Sequence, residues 1–406
     1  MRTFECGPNR EDDFHAILTT TQPSIVVFDR FFAEEMFSFI VRKYYPDALR
    51  IIDQQDVHFL REARQKMAAK MTTTATTTIK DIVAHRPDAT SSRSLLREIA
   101  SIYRSDLTFV CSPVELQMLT AEYNIPDTKL ALAPFFCDDD ALLGNGDHRR
   151  NHKNEQEGER RHVMMIGTFR HPPNLDSVQW VMNSLWAILR PRLPPGTELH
   201  IYGSYPPPNA MNEFHKPQNG IYFKGFLPSL DVMRGYRLLL APLRFGAGLK
   251  GKIVDAWCHG LPVCTTLIGS EGMTATTTTT TKSSGGGGGG GGGAEMDGWG
   301  GLGRAATAAE VVDDAATLYH DQELWGRCQQ RGYALLRELY DRTTRLDHVH
   351  RAIEESVDYM QERRRSDVVG SILWEQQFRS TEYFSKWIEL KETSRNSTLV
   401  PQSTTD

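Results

Sequence analysis

The chain has 406 residues, of which 40% are hydrophobic and 24% are charged, and its formal net charge is −5 at pH 7. This length predicts two α/β domains, each with its own core. The slightly acidic balance disfavours a nucleic-acid-binding protein, which usually carries a basic surplus. No run of about 18 apolar residues occurs, which predicts no membrane span. The N-terminus has no apolar signal core and the six cysteines form no C-x-x-C pair, so we expect a cytoplasmic protein with reduced, buried thiols.

Short apolar segments alternate with helix-like segments in the first 137 residues. The apolar segments are continuous in hydrophobicity, as in parallel strands that are buried on both faces. This β-α order predicts a doubly wound, Rossmann-like domain over residues 1–137. The strand candidates are Ser24–Asp29, Ala48–Asp53 and Leu107–Ser112, and the helix candidates between them include Phe31–Tyr44 and Leu95–Tyr103.

The alternation stops and then begins again further along the chain. Residues 138–160 are polar and densely charged, which predicts an exposed linker. Five more strand candidates predict a second Rossmann-like domain over residues 161–345. They are His162–Gly167, Glu198–Gly203, Gly220–Phe226, Arg237–Leu243 and Leu261–Thr266.

Segments of biased composition interrupt or follow these domains. Threonine and glycine runs within residues 274–293 predict a disordered insertion, and the shorter threonine tract in Met71–Thr78 predicts another. Residues 346–406 predict a helical segment, with Trp374 among its possible anchors, followed by a disordered tail.

The most informative stretch is Leu239–Gly272, in which a buried strand leads into a glycine-rich loop and then a helix. Glycines let backbone amides approach a phosphate, and a helix N-terminus adds partial positive charge. Lys250 and Lys252 add full charges, so the stretch is suited to binding a diphosphate. Asp255 lies about one helical turn after Lys252 and is placed to bind ribose hydroxyls. The alternative is a tight turn with solvated lysines.

Residues 246–252 also satisfy the G-x-x-x-x-G-K pattern of a P-loop. A P-loop needs a Ser or Thr next, because its hydroxyl binds Mg²⁺. Ile253 stands at that position, and no clear strand ending in an acid follows for the metal. The sequence therefore disfavours a P-loop ATPase.

Two stretches resemble the donor-binding signature of the glycosyltransferase family 4-like group, that is, glycosyl transferases group 1 with GT-B architecture. One is APLRFGAGLKGKIVDAWCHGLPVCTT, and the other is IGTFRHPPNLDSVQWVMNSLWAILR, which contains Gly167 and Phe169 before a cluster of His171, Pro172 and Asn174. Ile25–Arg64 and Arg97–Ser112 resemble the acceptor-side domain of a subset of that family.

The resemblance implies an α/β fold of two Rossmann-like domains that face a cleft, with the nucleotide diphosphate sugar lying on the C-terminal domain. It implies a hexosyl- or glycosyltransferase that retains anomeric configuration. It also implies that no metal or cofactor is needed, because lysines neutralise the leaving diphosphate. The acceptor would be a glycan, a lipid or a protein. The implied donor-binding residues are Gly167, His171, Asn174, Arg244, Gly246, Gly248, Lys250, Lys252, Asp255 and Glu271.

Two positions depart from the family pattern. Ala247 stands where an acid is expected about eight residues before Asp255, and Thr168 follows Gly167 where Arg and Lys are common. The Gly269–Gly272 loop, with Glu271, is expected to take over part of the donor contact.

Polar residues cluster after the strand candidate Ala48–Asp53. The carboxyl end of a parallel strand would place Asp53, Asp56, His58 and Arg61 in the cleft. His58, Asp56 and Arg61 are therefore the predicted catalytic residues, with His58 orienting the acceptor or contacting the transferred sugar. The alternative is that His58 is structural, as isolated histidines usually are.

Two further polar groups follow strand candidates in the first half. Asp29, Arg30, Glu34 and Glu35 follow the first strand, and their acids are predicted to stabilise a helix N-terminus. Ser112 with Glu115 follows the third strand, where capping is again the expected role.

Only residues 1–23 precede the first strand candidate, whereas a GT-B acceptor domain opens with a strand and a glycine-containing loop. We therefore expect an N-terminal domain that lacks its first β-α unit and has exposed strand edges. This leaves two alternatives to transfer: a non-catalytic or truncated homologue that acts as a binding or scaffold protein, and another GT-B enzyme such as a sugar epimerase or phosphorylase. Release of free nucleoside diphosphate only when an acceptor is present would favour transfer over epimerisation.

Overall fold

The computed structural model describes residues 2–7, 10–71, 77–137, 160–274, 299–376 and 387. The predicted linker up to residue 159, most of both low-complexity tracts and almost all of the predicted tail lie outside these residues. The described chain contains two parallel β-sheets with helices packed around them. This confirms the predicted α/β class with parallel sheets.

The N-terminal half (residues 2–137) contains a four-stranded sheet of order β1-β2-β3-β4, in which every pair is parallel. Its strands are β1 Ile25–Asp29, β2 Leu49–Asp53, β3 Leu107–Val110 and β4 Leu130–Leu132. Its helices are α1 Glu11–Thr21, α2 Arg30–Tyr44, α3 His58–Met71, α4 Ile79–Ala84, α5 Arg93–Arg104 and α6 Pro113–Ala121.

The C-terminal half (residues 160–341) contains a six-stranded parallel sheet of order β10-β9-β8-β5-β6-β7. Its strands are β5 Arg161–Ile166, β6 Leu199–Tyr202, β7 Ile221–Gly225, β8 Tyr236–Ala241, β9 Val263–Thr266 and β10 Gly301–Ala305. Its helices are α7 Pro172–Trp180, α8 Trp186–Leu189, α9 Ala210–Phe214, α10 Gly251–Cys258, α11 Leu267–Ser270, α12 Ala308–His320 and α13 Gln322–Tyr340.

The eight predicted strands are present with ends shifted by at most two residues, and two further strands were not predicted. Strand β4 has only three residues, which is too short for a clear hydrophobic pattern. Strand β10 has the sequence GLGRA, which is typical of a loop. Its first residue must be glycine for a packing reason, because a Cβ at Gly301 would lie 1.9 Å from the carbonyl oxygen of Val263 in β9.

The C-terminal residues return to the N-terminal half as two helices, α14 Arg342–Asp358 and α15 Met360–Ser366. Arg364 in α15 donates to both carboxylate oxygens of Asp106 at 2.7 and 2.6 Å. The buried Arg50 in β2 donates to the same carboxylate at 3.3 Å. Further on, the buried Trp374 donates its indole N–H to the carbonyl of Arg104 at 2.9 Å, so it is an anchor as predicted.

The chain passes twice between the two halves, at residues 133–137 and at residues 340–342. The two crossings touch, because the backbone N–H of Cys137 donates to the carbonyl of Tyr340 at 2.9 Å. Phe135 packs on the ring of Tyr340, with the ring centroids 6.4 Å apart. The two crossing segments therefore lie side by side.

The two halves also meet where the loop after β8 approaches the loop after β2. Gly248 has φ of +64°, and a Cβ added there would lie 2.9 Å from both Asp56 Cβ and the carbonyl oxygen of Gln55. Gly272 makes a similar approach, with Ser112 Oγ 2.5 Å from the position of its absent Cβ. Glycine at these positions allows close backbone contact between the halves.

No helix among the described residues is long and apolar enough to span a membrane.

Replacing Asp106 by Asn should lower the free energy of unfolding by roughly 2–4 kcal/mol, because two cations with little exposure lose their common counter-charge. Burial alone would raise the pKa of Asp106, but Arg364 and Arg50 lower it to about 2. The stabilisation is therefore fully present above the unfolded-state pKa and is lost as the pH falls from about 4 towards 2. Urea titrations at pH 7 and pH 3 measure both effects.

The control for this variant is Asp313→Asn. Asp313 forms an exposed pair with Arg192 at 2.6 Å, so its loss should cost no more than about 0.5 kcal/mol. Equal effects of the two substitutions would contradict a stabilising role for the Asp106 pairs.

Replacing Gly248 by Ala should lower the melting temperature by several degrees, because the new Cβ meets backbone atoms of the other half and the left-handed φ is strained, together costing about 1–3 kcal/mol. Gly326→Ala is the matched control. Gly326 lies within α13 with nothing within 4 Å of an added Cβ, so alanine should stabilise the helix by about 0.5–1 kcal/mol. An unchanged melting temperature for Gly248→Ala would mean that the halves do not make this contact in solution.

Candidate functional site

A cleft of about 660 Å³ lies between the carboxyl ends of the two sheets. The lining residues follow strands of both halves: Arg30 follows β1, Asp56 follows β2, His171 follows β5 and Leu249 follows β8. Ligands bind at this edge of open parallel sheets. The full lining consists of Arg30, Asp53, Gln55, Asp56, Arg61, Phe109, Cys111, residues 133–136, His171, Ala247, Leu249 and Val349.

Asp56 and Arg61, two of the three predicted catalytic residues, line the cleft as an ion pair. Arg61 Nε donates to Asp56 Oδ2 at 2.6 Å. His58, the third, lies behind them, with Nδ1 3.4 Å from Asp56 Oδ1 and its ring packed edge-on against Phe31 and Phe32. Burial lowers the pKa of His58, so its ring is neutral at neutral pH. His58 Nδ1 also lies 3.3 Å from the backbone carbonyl oxygen of Asp56, so His58 contacts Asp56 from behind and does not line the cleft itself.

Glu98 holds the loop that carries these residues, although no motif in the sequence marks it as a site residue. Its fully buried carboxylate accepts from the backbone N–H groups of His58 and Phe59 at 3.1 and 2.9 Å, and from Gln54 Nε2 at 2.8 Å. Burial raises the pKa of Glu98 to about 8. A carboxylate on α5 thus satisfies the first amides of α3, and only the tertiary structure brings them together.

The polar group after β1 does not cap α2, so the capping prediction is wrong. Glu34 is buried and accepts from Arg104 at 3.0 and 2.6 Å, and Glu35 pairs with Arg97. The Asp29 side chain makes no capping hydrogen bond and accepts instead from Gln55 Nε2 at 2.9 Å.

Arg30 and Gln55 line the cleft in a strained backbone conformation. Their φ angles are +66° and +56°, which is uncommon for residues other than glycine. Arg30 Nη2 donates to Gln55 Oε1 at 2.7 Å. Backbone strain of this kind costs about 1–3 kcal/mol and persists where surrounding contacts impose it, commonly at functional sites.

The C-terminal wall joins the loop after β5 to the start of α10. Asn174 donates to the Thr168 carbonyl at 2.9 Å and accepts from Lys252 Nζ at 2.7 Å. An added Cβ at Gly167 would lie 2.6 Å from the Asn174 side chain. A second, much smaller cavity borders Gly167, Asn174 and Lys252. Three predicted donor-binding residues are therefore adjacent.

Two cationic or potentially cationic groups on this wall have shifted pKa values. Burial lowers the pKa of Lys252 to about 8, so it is mostly charged at pH 7. Its partner Asn174 is neutral, and no carboxylate pairs with it in the part of the chain that the structure describes. Burial, together with the nearby charges of Arg61 and Lys252, lowers the pKa of His171 to about 4. His171 is therefore a neutral hydrogen-bonding group that faces Arg61 and Asp56 from the other half.

The glycine-rich loop is held both by its own lysine and by the N-terminal half. Within the loop, the buried Lys250 donates to the Gly248 carbonyl at 2.7 Å. Burial lowers the pKa of Lys250, and the nearby Glu271 and Glu115 oppose this shift. Arg64 donates to both oxygens of Glu271 at 2.6 and 2.8 Å and to the Gly246 carbonyl at 2.9 Å.

Ser112 and Glu115 do not cap α6, so this capping prediction is also wrong. Ser112 makes no capping hydrogen bond, and Glu115 Oε1 accepts from the Gly248 N–H of the other half at 2.5 Å. Glu115 and Arg64 were missed as site residues because each acts on a partner more than 130 positions away, which periodicity and local motifs do not reveal.

The remaining predicted donor residues are differently placed. Arg244 pairs with Asp176, with one contact at 2.9 Å, and Glu271 is engaged by Arg64. Asp255 lies one turn after Lys252 on α10, as predicted, and burial raises the pKa of its carboxyl to about 6. No donor to that carboxylate is found among the residues described.

One group of three potential metal ligands occurs among the described residues: His162, Glu198 and His200, whose ligand atoms lie within 4.8 Å of one another. It lies at the amino ends of β5 and β6, opposite to the carboxyl ends that border the cleft. His200 Nε2 is 2.7 Å from Glu198 Oε2, and His162 Nδ1 accepts from the Glu198 N–H at 3.1 Å. These atoms already bind one another, and the group does not belong to the cleft.

The segment that forms the C-terminal wall of the cleft matches a known protein family. Residues 160–282 match the family described as glycosyl transferases group 1. No curated protein matches the chain.

Several solved structures share the fold at low sequence identity. A mutant of S. aureus TarM, in complex with fondaparinux, alpha-GlcNAc-glycerol and UDP, has a TM-score of 0.57 and 10% identity; the match covers 83% of this chain and 57% of that one. A glycosyltransferase from Rickettsia africae has a TM-score of 0.55 and 12% identity; the match covers 88% of this chain and 84% of that one. Anabaena HepE, in complex with UDP and glucose, has a TM-score of 0.55 and 12% identity; the match covers 84% of this chain and 80% of that one.

The chain spans little more than half the length of the TarM chain that it matches. At these identities the likeness concerns the fold, and the family match concerns the segment with Gly167, Lys250 and Lys252. Residues 160–282 therefore match the glycosyl transferases group 1 family, and the described chain shares the GT-B fold of these glycosyltransferase structures.

Proposed function

We propose that this protein transfers a sugar from a nucleotide diphosphate sugar to an acceptor held in the cleft. The observation that carries the proposal is the placement of Lys250 and Lys252 at the N-terminus of α10, within the segment that matches the family. The helix dipole repels cations at this end, and burial disfavours their charge. A bound diphosphate would offset both penalties.

The neighbouring groups fit the rest of such a donor. Lys252 has only the neutral Asn174 as its described partner, which leaves its charge for a phosphate. The Asp255 carboxylate, without a described donor, is suited to ribose hydroxyls. Because the lysines supply the positive charge, we propose that the leaving diphosphate is stabilised without a metal. Retention of configuration is proposed from the family resemblance alone.

The N-terminal wall is proposed to bind the acceptor. Asp56 offers a carboxylate to an acceptor hydroxyl. Arg61 holds that carboxylate in position, and His58 contacts the backbone carbonyl of the same residue. Phe109, together with Phe135 and Phe136 of the first crossing segment, adds apolar surface to the same wall. The proposed acceptor is a glycan, a lipid or a protein. The TarM structure, which shares the fold, contains both UDP and the glycoside alpha-GlcNAc-glycerol in its complex.

We further propose that the protein works in the cytosol, since none of the six cysteines, all of which lie within the described residues, forms a disulfide. Two observations favour a second candidate, a binding or scaffold protein without turnover: Ala247 replaces an expected acid, and Glu271 is engaged by Arg64. Release of nucleoside diphosphate in the presence of acceptor separates the two candidates.

Nucleoside diphosphates should stabilise the full chain against heat in the absence of metal. Ligand at about 100 times its dissociation constant should add about 2.7 kcal/mol. A panel of UDP, GDP, ADP and CDP, measured by thermal shift, should identify the base, and the combined Lys250→Ala and Lys252→Ala variant should remove the shift. Lys224→Ala, which changes an exposed lysine in β7, is the control. A folded chain that responds to none of these nucleotides would contradict the proposal.

Affinity for the selected diphosphate should fall as the pH rises above 8. The pKa of Lys252 is about 8 in the free protein, so the lysine is charged below this pH and neutral above it. The dissociation constant should therefore rise roughly tenfold between pH 7 and pH 9. Lys252→Arg, whose guanidinium stays charged, should flatten this dependence in calorimetric titrations. A steep dependence that persists in the arginine variant would assign the titration to another group.

A further inference from the structure

Glu115 has an unusual environment for a carboxylate. It lies in the first turn of α6, is 2% exposed, and accepts from the Gly248 N–H of the other half through Oε1. Its second oxygen, Oε2, is buried and has no hydrogen-bond partner among the described residues. An unpartnered buried polar atom is costly and calls for an explanation, such as a ligand that supplies the missing bond.

The surroundings of Glu115 carry charges of both signs. Burial raises the pKa of Glu115 to about 7, and the Gly248 N–H, Asp56, Lys250 and Glu271 also act on this carboxyl group. Lys250 favours its ionised form, while the two acids oppose it. The carboxyl group is thus held on the Gly248 amide with one oxygen unsatisfied.

The Glu115 carboxyl group lies next to the position where the family pattern has an acid and this chain does not. Ala247 occupies the position where the resemblance leads us to expect an acid, and Gly248 is the next residue. Glu115 brings a carboxylate to that backbone position from the N-terminal half. Ala247 and Leu249, on either side of Gly248, both line the cleft.

We infer that Glu115 supplies the donor-binding carboxylate that Ala247 cannot. Oε1 remains on the Gly248 amide, and Oε2 accepts a hydrogen bond from a hydroxyl of the sugar that is transferred. The ligand class is the sugar portion of a nucleotide diphosphate sugar, so the inference rests on the proposed function. It makes the donor site complete only when both halves are in contact.

The test compares a nucleotide with and without its sugar on the full chain. Calorimetric titrations with UDP and with UDP-glucose are made on the unaltered chain and on Glu115→Gln. The glutamine Oε1 still accepts from the Gly248 N–H, so the contact between the halves is retained. We expect the dissociation constant for UDP-glucose to rise at least about fivefold, because the glutamine presents its Nε2 amino group where Oε2 stood, and an amide nitrogen cannot accept a hydrogen bond from the sugar hydroxyl. The dissociation constant for UDP should change less than about twofold.

Two further variants complete the design. Glu115→Ala, checked for folding by its thermal melt, should lose more affinity for UDP-glucose than Glu115→Gln. Glu122, which is exposed, lies at the end of the same helix and pairs with Arg86, so Glu122→Gln should leave both affinities unchanged.

Three outcomes would overturn the inference. Equal weakening of UDP and UDP-glucose by Glu115→Gln would make Glu115 a purely structural contact. Tighter binding of UDP by that variant would mean that Glu115 occupies the phosphate position in the free protein. If the unaltered chain binds neither UDP nor UDP-glucose, the proposed function with this donor is wrong, and this inference is wrong with it. That result is known before any variant is made.

Discussion

Arg64 donates to the Glu271 carboxylate and to the Gly246 carbonyl from a position with no exposed surface. This buried contact joins α3 of one half to two loops of the other. Burying a guanidinium is costly unless its charge and its donors are satisfied, so Arg64 requires the C-terminal loops to stay where they are. The position of the glycine-rich loop, and hence of the C-terminal wall of the cleft, depends on this contact.

The same principle explains the composition of the cleft. Lys250, Glu115 and Glu271 lie in a region where water is largely excluded, and their charges therefore interact strongly with one another. Glu115 accepts from the Gly248 N–H and Glu271 accepts from Arg64, so each is fixed by a group of the opposite half, whereas Lys250 donates to the Gly248 carbonyl of its own loop. The joint between the halves and the candidate donor site are consequently built from the same side chains, and a change to one affects the other.

The sequence predicts the parts of this structure that depend on local patterns. Strand β8 is buried at every residue and is therefore continuous in hydrophobicity, and Lys250 and Lys252 belong to a motif that is contiguous in the chain. Strand β10 escapes prediction because its glycines serve packing against β9. Glu98, Glu115 and Arg64 escape because their roles depend on partners that only the fold brings near, and capping is the usual role of an acid in the first turn of a helix.

The paired crossings at Cys137 and Tyr340 have a mechanical consequence. Two segments of chain connect the halves, and the hydrogen bond between them keeps them together along one line. Sliding of one half over the other would stretch both segments at once, whereas rotation about that line changes only a few backbone torsions. Any separation of the cleft walls must therefore be a hinge rotation that moves Gly248 away from Asp56 while the crossing point stays fixed.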